Sequence, residues 1–154
     1  MVLKFIIEKL KYNYHGLYKN KFKKPFLLNN LFNISISHCF PAISILLNNK
    51  KNIGIDIQIP GVKLKKIKKK FKKRINLFFT KKNLYKICIY WSIAEAIYKI
   101  CNKNIIIENN IKLSFKKEKN IIFLKIYSKY YIINYCLYYN YIVIICQKNN
   151  LNSI

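Results

Sequence analysis

A single acid set in an apolar strand constrains this chain more than any other feature. Residues 52–58 read Asn-Ile-Gly-Ile-Asp-Ile-Gln, with Ile53, Ile55 and Ile57 alternating with Gly54, Asp56 and Gln58. Strict alternation over such a length predicts a strand, here over residues 52–59. Asp56 and Gln58 are two residues apart and therefore share one face of it. Acids are also scarce: the chain has only Glu8, Asp56, Glu95, Glu108 and Glu118, against 30 Lys and Arg.

A second stretch completes the pattern. Trp91 to Lys99 reads Trp-Ser-Ile-Ala-Glu-Ala-Ile-Tyr-Lys. It has helical character, and Glu95 and Lys99, four apart, fall on one face. A helix packed across the end of the strand would let Asp56, Gln58 and Glu95 converge on one cation. Oxygen donors of this kind suit Mg²⁺, with water and substrate phosphates completing the shell. A plain Glu95–Lys99 ion pair is the structural alternative.

Composition narrows the class. Just over half the residues are apolar, with three Gly and three Pro, which is a folded and not a disordered composition. No apolar run approaches the length of a membrane span, and the first residues lack the features of a secretory signal, so a cytoplasmic location is expected. The five cysteines, Cys39, Cys88, Cys101, Cys136 and Cys146, are widely spaced without a CxxC pair and read as free thiols. The formal net charge of +25 favours anionic partners. The positive charge is almost all lysine, with Arg74 the one arginine, amid many Asn, Ile, Tyr and Phe. That bias fits an A/T-rich gene. A dedicated nucleic-acid binder uses more arginine, so no specific nucleic acid is expected, although a basic nucleic-acid-binding module is kept as an alternative.

In chain order, Val2–Leu10 is expected as a strand and residues 11–24 as a loop, with Gly16 at a turn. His15 reads as a surface residue. Residues 31–38 alternate Phe32, Ile34 and Ile36 with Asn33, Ser35 and Ser37, predicting a strand with one apolar and one polar face. His38 ends that strand beside Ser37, with Lys23 and Lys24 upstream, and the group offers donors to a phosphate. Residues 41–47 form the next strand, joined to 52–59 as a hairpin. Ile67, Phe71, Ile75 and Phe79 make one stripe of a basic amphipathic helix. A second helix, capped by Thr80, runs to about Cys101 with Ile87, Trp91, Ala94, Tyr98 and Cys101 as its core stripe. Strands follow near 111–115, 120–126, 130–137 and 141–146, the last two as a hairpin. Glu108 and Glu118 read as surface acids. No Walker loop, GxGxxG, HExxH or GxSxG occurs. Ser37, His38 and Cys39 are adjacent on a strand and point alternately apart, which is poor geometry for a nucleophile and its base.

These pieces, taken together, resemble the 4′-phosphopantetheinyl transferases, in particular the longer two-lobed type active on carrier proteins. Lys24-Pro25 is similar to the family's Lys-Pro, and Ile36-Ser37-His38 to its Ile-Ser-His. Gly54-Ile55-Asp56-Ile57-Gln58 resembles its Gly-Ile-Asp-Ile-Glu. Phe78-Phe79-Thr80 and Trp91 to Lys99 resemble its Phe-Phe-Ser/Thr and Trp-Thr-x-Lys-Glu-Ala-x-x-Lys. The resemblance implies an α+β fold in one phosphopantetheinyl transferase-like domain, with two pseudo-symmetric lobes of antiparallel strands packed with helices. Lobe 1 would cover about 1–61, shortened, and lobe 2 about 62–154.

The activity it implies is transfer of the phosphopantetheine arm of coenzyme A to a serine of an apo acyl carrier protein, in a Mg²⁺-dependent reaction. Lys24, Ser37 and His38 would hold the 3′-phosphate of coenzyme A. Asp56, Gln58 and Glu95 would surround the metal, Lys99 would contact phosphate, and Glu95 would act as general base. The lysine-rich segment 62–79 would suit an acidic acyl carrier protein. Gln58 stands where the family has glutamate, and Ala94 where it has lysine. With the short first lobe, these departures motivate a second reading, a relative that binds coenzyme A or a carrier protein without turnover.

Overall fold

The computed structural model describes residues 2–21, 24–28, 31–49, 52–60, 81–101, 114–116, 120–126 and 129–149. The expected basic helix over 62–79, its Phe78-Phe79-Thr80 end, Lys23, Glu108 and Glu118 lie outside the described residues. The described part is α+β, with antiparallel strand pairs throughout. Among the described residues no helix is long and apolar enough to cross a membrane.

The chain begins with helix α1 (Val2–Lys9), not the expected strand. Leu3, Ile6, Ile7 and Leu10 recur at i, i+3, i+4 and i+7, a helical stripe that the Ile6-Ile7 doublet masks. Ile7 is its fully buried member. The helix stops in a Schellman turn: Tyr12 N donates to Ile7 O at 3.2 Å and Lys11 N to Glu8 O at 2.9 Å, with Lys11 left-handed at φ 62°.

Two two-stranded pairings follow. Strand β1 (Leu17–Lys19), inside the segment expected as loop, pairs with β2 (Pro25–Leu27). Strand β3 (Asn33–Cys39) forms a hairpin with β4 (Ala42–Asn48) through the cis Phe40–Pro41 peptide. Strand β5 (Ile53–Gln58) was expected to continue this as a hairpin with β4, and it does not. It crosses to a five-stranded sheet of order β5-β9-β8-β7-β6, where it pairs with β9. Every residue of β5 is buried, whereas β4 is largely half-exposed. Strand β5 is the edge strand of that sheet, and it is fully buried there because β9 pairs with one side of it, α2 lies across it and the serines of β3 reach its other edge.

The other strands are β6 (Ser114–Lys116), β7 (Ile121–Ile126), β8 (Lys129–Tyr138) and β9 (Tyr141–Asn149), with β8 and β9 in the expected hairpin. Helix α2 (Lys81–Cys101) lies on this sheet. Its Ile93, Ala96, Ile97 and Ile100 pack with Ile122, Leu124, Tyr131, Ile133, Ile142, Ile144 and Cys146. The buried stripe thus differs from the expected one. Ile87 is buried as anticipated, but Trp91 and Ala94 are only half-buried and Tyr98 is exposed. The helix turns its isoleucines and its smallest contact residue, Ala96, to the sheet, where Gly54 leaves room for a close approach.

Candidate functional site

The site forms where α2 crosses β5. A side chain at Gly54 would overlap the Ala96 carbonyl and come within 3.2 Å of Ile100 Cγ1. Glycine is therefore what lets the helix backbone lie against the strand. This close approach fixes the helix register over the strand and carries Lys99 to Asp56.

Asp56 is 3% exposed, its cross-strand neighbour being Ile144. Its carboxylate is nonetheless surrounded by donors. Ser37 Oγ donates to Oδ1 at 2.9 Å, Lys99 Nζ donates to the same oxygen at 3.1 Å, and Gln58 Nε2 donates to Oδ2 at 3.0 Å. Lys99 Nζ also donates to the Ile55 carbonyl at 2.6 Å. The pair is an ion pair between a buried carboxylate and an ammonium whose side chain is 25% exposed. Such a charge is tolerated in an apolar sheet because both of its oxygens are hydrogen-bonded and its countercharge is in contact.

The serines of β3 supply a second layer. Ile55 N donates to Ser35 Oγ at 3.0 Å, and Ile57 N donates to Ser37 Oγ at 3.3 Å. Ser35 and Ser37 are buried, so the polar face of this strand, which alternation alone would leave to solvent, is turned inward against β5. Ser37 serves two partners at once, accepting from Ile57 and donating to Asp56.

The expected residues fall into two groups. Ser37, Asp56, Gln58 and Lys99 come together directly. Glu95, half-buried, lies one turn before Lys99 on α2 and shares its side of the helix. His38 follows Ser37 on β3 with its side chain exposed, so the two do not act from one face. Lys24 is half-buried at the start of β2, where its backbone N–H bonds Asn20 Oδ1 at 3.0 Å and its ammonium sits 5.7 Å from the Phe26 ring centroid. Burial pulls the Lys24 pKa below its ordinary value, and the Cys101 thiol at the end of α2 partly opposes this.

Three residues of this region escaped the sequence reading. Ser35 was seen only as part of a polar face. Ser92, one turn before Ala96, is fully buried, and its hydroxyl has no hydrogen-bond partner among the described residues. Cys88, one turn earlier again, is buried, and its thiol is pushed up to about 12, chiefly by burial, then by the negative charge of Asp56 and by Cys39. A serine and a cysteine at spacings of three and seven from Glu95 were the available signal.

The donor set fits a hard divalent cation in kind, since Asp56, Gln58 and Glu95 offer only oxygen ligands. Among the described residues no three His, Cys, Asp or Glu side chains cluster closely enough to hold a metal, so a cation at Asp56 would count the Gln58 amide among its ligands. No family model matches the chain, and no curated protein is significantly similar to it.

Proposed function

We propose that this protein is a 4′-phosphopantetheinyl transferase, with the two-lobed fold of that family and a shortened first lobe. The observation that carries the reading is the meeting of Gly54–Gln58 with Trp91–Lys99. The two stretches most like the family's motifs are far apart in the chain, and their polar residues join at Asp56 and Lys99.

In this reading Asp56, Gln58 and Glu95 hold Mg²⁺, which supplies charge neutralisation at the diphosphate of coenzyme A when bound. Lys99 places its ammonium on a phosphate oxygen, where it opposes the negative charge that builds as the diphosphate is cleaved. Glu95, directly or through a water, takes the proton of the attacking carrier-protein serine. The serine oxygen–phosphorus bond forms, the phosphorus–oxygen bond of the diphosphate breaks, and adenosine 3′,5′-bisphosphate leaves. Ser37 and the backbone of β5 hold Asp56 in place. Lys24 and His38 are assigned to the 3′-phosphate, and the high positive charge draws an acidic acyl carrier protein to the surface.

Incubation with coenzyme A, Mg²⁺ and a panel of apo carrier proteins, followed by mass spectrometry, tests the assignment. A carrier protein gaining the arm is the expected result, with Asp56→Ala and Glu95→Ala each slowing the gain about a hundredfold or more. Folded protein at high concentration that adds no mass to any carrier overturns it. The engagement of both Asp56 oxygens favours, as a second reading, a relative that binds coenzyme A without turnover. Saturable calorimetric binding without product would identify that case.

A further inference from the structure

We infer that the Lys99 ammonium is the resting cation of the Asp56 carboxylate, and that it is exchanged for Mg²⁺ only when a diphosphate ligand gives Lys99 a new anionic partner. This rests on reading Asp56 and Gln58 as metal ligands.

Three contacts carry the inference. Lys99 Nζ lies 3.1 Å from Asp56 Oδ1, one of the two carboxylate oxygens a metal would use. An ammonium there repels an arriving divalent cation, so the two do not share the carboxylate at close range. Gln58 directs Nε2, not Oε1, at Asp56 Oδ2. In that orientation the amide is a donor to the carboxylate, and it becomes a metal ligand only by turning over and presenting its oxygen. Glutamine serves in both arrangements, whereas an ionised glutamate would have no proton to donate and would add a second negative charge beside Asp56. Finally, the Lys99 side chain is one-quarter exposed. It has a path from Asp56 toward solvent, and what it gives up is the Ile55 carbonyl and one carboxylate oxygen. A phosphate replaces that carboxylate as a partner, and water reaches the carbonyl.

The exchange makes Mg²⁺ and diphosphate binding mutually dependent. Each ligand removes an obstacle to the other: the phosphate draws off the ammonium, and the metal takes the carboxylate that the ammonium leaves. Coupling of this kind is reciprocal and is typically worth about five- to 150-fold in affinity.

Thermal melts and calorimetric titrations of the purified chain with MgCl₂, alone and with adenosine diphosphate, test the inference without reference to turnover. For the wild-type protein, MgCl₂ alone is expected to leave Tm unchanged, and adenosine diphosphate, once the Mg²⁺ it chelates in solution is subtracted, to tighten Mg²⁺ binding to the protein by about tenfold or more. Lys99→Gln removes the charge and leaves an amide donor on a shorter side chain. It is expected to bind Mg²⁺ without nucleotide, to rise in Tm on adding MgCl₂, and to lose most of the coupling. A variant that folds only when MgCl₂ is present gives the same support.

Gln58→Glu is the second probe. Its added carboxylate beside Asp56 is expected to lower Tm in metal-free buffer and to make Tm respond to MgCl₂. The inference is overturned if wild type binds Mg²⁺ equally with and without adenosine diphosphate, or if folded Lys99→Gln gains no affinity for the metal. Failure of both variants to respond to MgCl₂, folded or not, overturns it as well. A chain that exhibits the exchange but never modifies a carrier protein would refute the transferase assignment alone. One that modifies carriers while Lys99→Gln and wild type share one Mg²⁺ affinity would refute the exchange alone.

Discussion

Ser35 shows how much a small polar side chain decides here. Its hydroxyl accepts the Ile55 N–H inside the protein, where no water replaces it. Ser35→Ala leaves that N–H unpaired, a loss of about 1–3 kcal/mol. Denaturant unfolding should show it as a lower midpoint at unchanged slope. Ser37→Ala should cost at least as much, because Ser37 Oγ both accepts from Ile57 and donates to Asp56. Ser92 is the contrasting case: its buried hydroxyl has no partner among the described residues, so removing it sacrifices no hydrogen bond to them. The sequence disclosed that Ser35 and Ser37 share a face. It did not disclose that the face is covered, because period-two alternation reads polarity and says nothing about what lies opposite.

Elements obey the same limit. The strands over 33–39, 53–58, 121–126, 129–138 and 141–149 are legible because each carries a sustained alternation or apolar run. Helix α1 is not, since eight residues with two adjacent isoleucines satisfy a strand and a helix template alike. The β4–β5 hairpin fails for another reason. Proximity in sequence favours it, yet the all-buried β5 gains more by pairing with β9 under α2. Asp56, Gln58 and Lys99, which meet in the structure, were legible as residue types because acids are so rare in this chain. Its connectivity was not: that Lys99 grips Asp56 depends on the close approach at Gly54. Gly54→Ala should therefore be among the most destabilising single-methyl changes available, at about 3 kcal/mol or more. The obstacle is the Ala96 carbonyl, a backbone group, so Ala96→Gly should not rescue it. Thermal melts of the single and double variants check both statements.

Over the whole molecule, burial of proton-bearing groups sets an alkaline limit. The Cys88 thiol is raised from 9.0 to about 12, and Cys146 and Tyr131 shift upward as well, chiefly through burial. Above pH 9 the unfolded chain releases these protons while the folded protein keeps them, so the unfolded state binds fewer protons and stability falls as pH rises. Stability from these groups is complete below pH 9 and, for Cys88, declines up to about pH 12. Urea midpoints recorded across that window should decrease steadily, and Cys88→Ala should flatten the decrease.

The β3 serines that take up the N–H groups of Ile55 and Ile57 have one more consequence, for the company this protein keeps. A sheet whose outermost strand still offers free amides is an invitation to a stranger's strand, and sheets joined that way grow into fibres. Here the invitation is withdrawn by two hydroxyls. Another strand could reach the Ile55 and Ile57 amides at this margin only by displacing the β3 serines that hold them.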